Sequence, residues 1–144
     1  MDDKLTKNME DYLEAILILE KKNRVARATD ISEMLSVKKP SVTNALKFLS
    51  DKGYVNYNRY RGITLTKDGM KYAKEIYHRH QKIKEFLVKI LNVDDAEAEE
   101  NACRIEHVID EHIFKKLSCF LDFILDSDTK CVNIDKFKSE CDEN

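Results

Sequence analysis

Glycine and proline, the residues that mark turns and interrupt helices, are scarce in this sequence. Its 144 residues include three glycines and one proline. The scarcity excludes a chain built around many turns of positive φ and favours a mostly helical one. A long uninterrupted apolar run is also missing, as is the basic start with an apolar stretch that marks a secretory signal. We therefore expect a cytoplasmic protein that does not contact a membrane.

Cysteine pairs of the C-x-x-C type are missing too, although the chain has four cysteines. Their spacing excludes a zinc ribbon, and since nothing points to an oxidising compartment, we interpret them as reduced thiols. Cys119 lies in an apolar run, residues 117–125, which predicts that it is a small buried hydrophobic residue.

Charge is distributed unevenly along the chain. The formal net charge is −2, but residues 27–67 carry eight Lys or Arg against three Asp or Glu, whereas residues 94–144 carry six against fifteen. A basic middle joined to an acidic last third indicates two tasks, one facing a polyanion and one facing cations. Charged helix faces that are simply exposed to solvent would give similar clusters, so the charge distribution indicates these functions only if sequence motifs support it.

Apolar spacing predicts helices over most of the chain. In residues 5–22, apolar side chains recur at steps of three and four, which is typical of an amphipathic helix. A short second helix is predicted over residues 30–35 with Thr29 as its cap, and a third from Pro40 to Gly53, where the glycine ends it.

After the third helix the period changes from helical to alternating. Residues 54–57 and 63–65 predict two strands around a basic tip, residues 58–62, and therefore a β-hairpin. A long helix is predicted from Thr66. The helices expected beyond it are one that follows an Asp94–Glu97 capping box and further turns at residues 112–126 and 134–141.

Two helices joined by a short turn and followed by a hairpin form the pattern of a winged helix-turn-helix, whose second helix enters the DNA major groove. The outward side chains of the third helix and the basic wing tip can read bases or neutralise phosphates. A solvated helix beside a basic loop is the alternative, but it explains neither the order nor the spacing. The predicted DNA-binding residues are Lys38, Lys39, Pro40, Ser41, Thr43, Asn44, Lys47, Arg59 and Arg61.

The string Cys103-Arg-Ile-Glu106-His107 has metal-ligand chemistry. On a helix, positions i, i+3 and i+4 share one face, so a thiolate, a carboxylate and an imidazole converge within a single turn. A cysteine or a histidine taken alone is commonly structural. Their combination points to a metal site.

Two other predicted helices offer further ligands. Asp11 and Glu14 are three residues apart on the first helix, and His80 lies on the long fourth helix. Glu99 is a possible extra ligand one turn before Cys103, on the same helix as the string above. A donor set that is mostly oxygen and nitrogen, with one sulfur, suits manganese or iron better than a closed tetrahedral zinc site.

Two other functions compete with a metal-dependent DNA-binding protein. A metal beside Glu106 and His107 could activate water, but the chain has no Gly-rich phosphate loop, nucleophile elbow or H-E-x-x-H motif. We therefore expect that the protein is not an enzyme and takes no small-molecule substrate. The second alternative is a winged-helix regulator of a non-metal or thiol-redox signal that uses Cys103.

Over nearly its whole length, the sequence resembles the iron- and manganese-dependent repressors of the diphtheria toxin repressor family. The resemblance is carried by residues 9–14 (MEDYLE), 40–43 (PSVT), 61–69 (RGITLTKDG), 79–80 (RH) and 103–108 (CRIEHV). The short chain is similar to the manganese transport regulator branch, whereas the longer iron-responsive members carry an additional SH3-like domain.

The resemblance implies a fold that is mainly α with a small β-wing and a homodimer that binds metal between two domains. Residues 1–71 would form the winged helix-turn-helix DNA-binding domain, and residues 72–144 a helical metal-binding and dimerisation domain. A site for two ions per subunit is implied, with six ligands: Asp11, Glu14, His80, Cys103, Glu106 and His107.

Two of these ligand positions pull the metal preference in opposite directions. Position 11 is Asp, as in the manganese branch, where the iron branch has Met. Position 103 is Cys, as in the iron branch, where the best-known manganese regulator has Glu. Since hard oxygen donors favour Mn²⁺ and a thiolate favours Fe²⁺, the expected cofactor is Mn²⁺ or Fe²⁺, with manganese favoured.

The expected function is metal-dependent repression of metal-uptake genes through double-stranded operator DNA. Asp11 and Glu14 belong to the DNA-binding half, and the other ligands lie beyond it. An ion shared by both halves would therefore hold the two recognition helices of the dimer at one spacing, a population shift toward the DNA-competent form.

Overall fold

The structure is a computed structural model that describes residues 5–126 and 133–142. The chain forms two compact units, one ending at Tyr77 and one beginning at His78. The division falls inside one long helix, α4 (Lys67–Lys89), which contributes a part to each unit. Among the described helices, none combines the length and the apolar character that crossing a membrane requires.

The first unit consists of helices with a two-stranded wing. Its elements before α4 are α1 (Lys7–Asn23), α2 (Ala28–Met34), α3 (Lys39–Asp51), β1 (Val55–Asn58) and β2 (Gly62–Leu65). The strands pair antiparallel, with Val55 opposite Leu65 and Asn58 opposite Gly62. The predicted winged helix-turn-helix is therefore confirmed, including the position of its hairpin.

One apolar core joins the helices of this unit to the wing. Leu13, Ile16 and Leu17 of α1 are fully buried, as the spacing of three and four predicts. Side chains from the other elements close the same core, namely Ile31, Val42, Leu46, Leu49 and Ile63. Since each fully buried aliphatic side chain contributes about 1.5 to 3 kcal/mol, this core fixes the position of α3 beside the wing.

The start of α2 differs from the prediction. The sequence predicts a helix from Asp30 capped by Thr29, but α2 begins at Ala28, with Arg27 in the cap position and no hydrogen bond from a capping side chain. Ala26 pairs with Ile63, each N–H donating to the other carbonyl at 3.0 and 2.9 Å. Because this bridge ends the extended segment early, the helix starts two residues before the position that local capping rules indicate.

The wing tip is held in shape by one side chain. The Oδ1 atom of Asn58 accepts hydrogen bonds from the backbone N–H groups of Tyr60 at 2.9 Å and Arg61 at 3.2 Å. Gly62 follows with a φ of 93°, a conformation that favours glycine. This turn keeps Arg59 and Arg61 exposed at the end of the hairpin.

A buried polar contact ties the start of α1 to α4. The hydroxyl of Tyr72 donates a hydrogen bond to Oε1 of Glu10 at 2.8 Å and accepts one from the N–H of Leu5 at 3.3 Å. Burial, followed by the hydrogen bond to Glu10, raises the pKa of Tyr72 from 10.0 to about 12. The contact holds the turn of α1 that also carries Asp11.

The described part of the second unit contains the remainder of α4 and the helices α5 (Asp95–Ile105), α6 (Glu111–Leu125) and α7 (Ile134–Asp142). Ile83, Ala102 and Phe114 form its small core. Asp94 caps α5, as predicted, because its Oδ2 accepts a hydrogen bond from the N–H of Ala96 at 3.0 Å.

The prediction that Cys119 is buried is wrong, since this residue is exposed on α6. Helix α6 buries Phe114 and Leu121, whereas Ile113, Phe120 and Phe123 are 53%, 49% and 58% exposed. An apolar run in a helix points to several faces, and only one of them meets the core of this unit. The result is an uncovered apolar face.

Gly69 allows the first turn of α4 to approach the backbone of Tyr54, directly before β1, and we expect Gly69→Ala to destabilise the first unit. A Cβ at this position would lie 1.8 Å from the carbonyl oxygen of Tyr54. Since overpacking against backbone typically costs about 1 to 3 kcal/mol and occasionally more, the loss should be about 3 kcal/mol in urea unfolding. Lys74→Ala, on an exposed face of the same helix, should change stability by less than about 0.5 kcal/mol. Equal effects of the two variants would contradict the close contact.

Tyr72 should make stability depend on alkaline pH. Its pKa is raised in the folded protein, so the neutral phenol stabilises the fold fully below pH 10, and that contribution is lost as the pH rises from 10.0 to about 12. In urea unfolding over this range, Tyr72→Phe should show a shallower fall of stability than the unsubstituted protein. Tyr60→Phe removes a hydroxyl from a side chain that is 92% exposed and should keep the original profile.

Candidate metal centre and nucleic-acid interface

Four of the predicted metal ligands converge in the second unit around one carboxylate. Glu106 directly follows the end of α5, and its Oε2 lies 2.6 Å from Nδ1 of His80 on α4. Its Oε1 lies 3.2 Å from Nε2 of His107. One donor atom each of Cys103, Glu106 and His107 lies within 4.8 Å of the others.

The convergence follows from the local backbone. Helix α5 ends at Ile105, but Glu106 retains helical dihedral angles and its N–H still donates to the carbonyl of Ala102 at 3.0 Å. The helical spacing of Cys103, Glu106 and His107 is therefore kept although the helix itself ends before the last two. The prediction that these three side chains converge is confirmed.

Burial makes the charge of Glu106 costly in the absence of a cation. The side chain of Glu106 is fully buried, and its Oε1 accepts no hydrogen bond from any residue in the described part of the chain, because the contact with His107 is not aligned as one. A buried carboxylate needs a positive partner or several donors. Beside it lie imidazole nitrogens and a thiol, which are donors that Mn²⁺ and Fe²⁺ accept. These residues therefore fit a divalent metal.

A second layer of charges lies on the other side of His80. Its Nε2 is 2.9 Å from Oε1 of Glu99, and Oε2 of Glu99 is 2.8 Å from Nζ of Lys84. Lys84 also contacts Oδ2 of Asp95 at 3.1 Å. The hydrogen bond from Lys84 is the main cause that lowers the pKa of Glu99. The sequence predicts Glu99 as a possible ligand but gives no signal for Lys84, because lysine is not among the residues that commonly bind metal ions.

Asp11 and Glu14 belong to the first unit. They lie one turn apart on α1, both half-buried, directly after the buried Glu10. The charge of Asp11 adds to burial in raising the pKa of Tyr12. Asp11 also lines a cavity of about 260 Å³ together with Ser41, at the start of α3.

The predicted DNA-binding residues, which we call the basic surface, lie in the first unit on or directly before α3 and at the tip of the wing. Eight of the nine are exposed, and the ninth, Thr43, is half-buried. The hydroxyl of Thr43 donates a hydrogen bond to the carbonyl of Lys39 at 3.2 Å. A cleft of about 390 Å³ runs between α3 and the wing, lined by Lys39 and Thr43 on one side and Arg59 and Arg61 on the other.

Two residues that line this cleft are not among the predicted DNA-binding residues. Arg27, directly before α2, lines the cleft, and Tyr60 at the wing tip lines it with an exposed ring. The basic charge of residues 27–67 is a signal that could have identified Arg27. No pattern in the sequence distinguishes Tyr60 from the other tyrosines, since its exposure depends on the turn made by Asn58.

Comparison with known proteins places both units in one family. Residues 4–63 match the N-terminal DNA binding domain of the iron dependent repressors, and residues 66–130 match the metal binding and dimerisation domain. The chain belongs to this family. The resemblance described above is thereby confirmed.

Two relatives and one solved structure illustrate the similarity. The chain is 41% identical over 119 residues to an uncharacterised HTH-type transcriptional regulator of Methanocaldococcus jannaschii, covering 82% of this chain and 95% of the relative. It is 35% identical over 125 residues to the HTH-type transcriptional regulator MntR of Shouchella clausii, covering 87% of each. The structure of the manganese regulator SloR matches with a TM-score of 0.73 and 32% identity, over 83% of this chain and 55% of SloR. This chain thus spans about half the length of SloR.

Residues on the basic surface should separate into those that read sequence and those that hold phosphate. Asn44→Ala should weaken binding to DNA fragments selected from a random pool by about 1 to 3 kcal/mol and relax preference at one base step, because Asn can pair with adenine through two hydrogen bonds. Lys39→Ala should weaken binding to selected and random DNA alike and lower the salt slope by about 1. Identical behaviour of the two variants in fluorescence anisotropy would contradict this assignment.

Proposed function

We propose that this protein is a repressor of metal-uptake genes that acts in the cytoplasm, with Mn²⁺ favoured and Fe²⁺ possible as the activating ion. The observation that carries the proposal is the buried Glu106 carboxylate, set between His80 and His107 in the domain that follows a winged helix. The protein's partners would be double-stranded operator DNA and a second copy of the chain. No catalytic role is assigned to any residue.

The preference for manganese rests on the donor chemistry. Two carboxylates on α1, Asp11 and Glu14, add hard oxygen ligands, and SloR, a structural relative, is a manganese regulator. Cys103 contributes the single soft donor, which explains why Fe²⁺ remains a second candidate. We therefore expect a site that responds to both ions and binds Mn²⁺ through oxygen and nitrogen.

The proposed site holds two ions per subunit and shares Glu106 between them. In the second unit, Glu106 lies with Cys103 and His107 in one group of potential ligands and with His80 in another. Asp11 and Glu14 complete the ligand set by the family resemblance. A carboxylate can serve both positions, since its two oxygens carry separate lone pairs.

Coupling between metal and DNA would arise from the position of the α1 carboxylates. A divalent cation supplies the positive charge that offsets clustered carboxylates. Asp11 lines the same cavity as Ser41 of α3, so a rearrangement of α1 on metal binding would reach the recognition helix directly. Such coupling is typically about 1 to 3 kcal/mol, and it is reciprocal, so DNA should also tighten metal binding.

The exposed apolar face of α6 gives the proposed homodimer its contact surface. Ile113, Phe120 and Phe123 lie in the region that matches the family's metal binding and dimerisation domain. Large exposed apolar side chains grouped on one element mark an interface with another protein. Pairing through this domain would leave both recognition helices available to one stretch of DNA.

Removing single ligands should abolish the response to metal. In anaerobic anisotropy titrations with Mn²⁺ or Fe²⁺, Asp11→Ala and His107→Ala should lose the metal stimulation of DNA binding, about 5- to 150-fold for the coupling energy expected. His112→Ala removes an exposed histidine on α6 and should respond as the unsubstituted protein does. Circular dichroism checks that all variants are folded.

The ligand variants, together with a peroxide experiment on the metal-free protein, distinguish the proposed metal site from the alternative thiol-redox sensor. Undiminished stimulation in both ligand variants would contradict the proposed metal site. If peroxide changed DNA binding by the metal-free protein and Cys103→Ser abolished that change, the redox function would replace the proposal.

A further inference from the structure

Two residues beside the candidate metal centre, Glu99 and Lys84, have no role in the function proposed above. They form a chain of contacts that begins at Nε2 of His80, passes through both oxygens of Glu99, and ends at the ammonium group of Lys84. The opposite ring nitrogen of His80, Nδ1, faces Glu106. The imidazole is therefore clamped between a carboxylate inside the centre and one outside it.

A histidine that binds a metal through one ring nitrogen almost always donates the N–H of the other to a carboxylate, a carbonyl or water. That second contact fixes the ring orientation and decides which nitrogen offers its lone pair. Glu99 lies at 2.9 Å from Nε2, at the place where such a partner is needed.

We infer that Glu99 and Lys84 are a positioning pair: Glu99 accepts a hydrogen bond from the Nε2–H group of His80 so that Nδ1 serves as the ligand, and Lys84 holds Glu99 in place. This inference rests on the proposed function, since it concerns how one ligand of that site is oriented. Neither residue is a ligand itself.

The contacts argue against Glu99 as a ligand. One of its oxygens is engaged by His80 and the other by Lys84, at 2.9 and 2.8 Å. A metal bound to Glu99 would have to displace a cation that also contacts Asp95. The ammonium group of Lys84 thus supplies the positive charge that pairs with the carboxylates of Glu99 and Asp95, and no metal ion is needed there.

The surroundings allow this pair to be altered without removing the core. Glu99 is exposed on α5, and the side chain of Lys84 is 23% exposed on α4. Lys82 provides a matched control, because its side chain is 21% exposed on the same helix and it pairs with Asp122 instead.

The experiment measures the binding of Mn²⁺ alone by competition with a chromophoric chelator under anaerobic conditions, and the number of bound ions by elemental analysis. Glu99→Ala and Lys84→Met should weaken binding by about 10- to 100-fold, the usual effect of removing such a partner, with the number of ions unchanged. Glu99→Gln keeps an acceptor for Nε2, and Lys84→Arg keeps the cation, so both should stay within a few-fold of the unsubstituted protein. Lys82→Met should bind as the unsubstituted protein does.

A second readout follows the ring of His80 directly. In protein labelled with ¹⁵N-histidine and loaded with diamagnetic Cd²⁺, ring-nitrogen NMR should show Nδ1 bound to the ion and Nε2 protonated. Glu99→Ala should mix or reverse this pattern, whereas a merely structural role of Glu99 would leave it unchanged. Circular dichroism accompanies each variant.

Several outcomes would overturn the inference. One ion fewer in Glu99→Ala would make Glu99 a ligand. Unchanged Mn²⁺ affinity and an unchanged His80 pattern in Glu99→Ala and Lys84→Met would contradict the positioning role. An equal loss of Mn²⁺ affinity in Lys82→Met would show that the effect comes from removing any lysine charge on this helix and not from positioning. If the unsubstituted protein bound neither Mn²⁺ nor Fe²⁺, the proposed function would fail first and the inference with it, a result distinct from the others.

Discussion

The buried carboxylate of Glu106 is the constraint on which the second unit depends. It lies between two imidazoles, 2.6 Å from His80 and 3.2 Å from His107, with the thiol of Cys103 close by. Leaving such a charge buried with one oxygen that accepts no hydrogen bond from the described residues costs stability. In the proposed function, a bound cation supplies the compensating charge.

In the first unit, the same helix serves the core and the proposed site. The buried side of α1 packs in the core that positions α3, while Asp11 and Glu14 lie on its half-buried side. The contact of Tyr72 with Glu10 holds the beginning of α1 to α4. A change in the position of α1 is therefore a change in the support of the recognition helix, which is what a metal-dependent DNA-binding protein requires.

Charged residues surround His80 in the candidate metal centre. Glu106 and Glu99 lie on opposite sides of the His80 ring, and Lys84 offsets the charge of Glu99. Orientation of one ligand thus depends on residues that carry no ligand atom of their own. The family membership defines the class of protein, whereas these contacts define how this chain builds its site.

The class of fold, the wing and part of the candidate site could be predicted from the sequence, because they depend on residues that are neighbours along the chain. The helical spacing in α1, the cap at Asp94 and the one-turn spacing of Cys103, Glu106 and His107 involve neighbours along the chain, which periodicity records. Asp11 and Glu14 stay predicted ligands on the same basis. Tertiary structure alone decided the early start of α2, the exposure of Cys119 on α6 and the clamp on His80 by Glu99. Each of these features depends on which surfaces of separate elements pack together, and no periodic pattern in the sequence predicts such contacts.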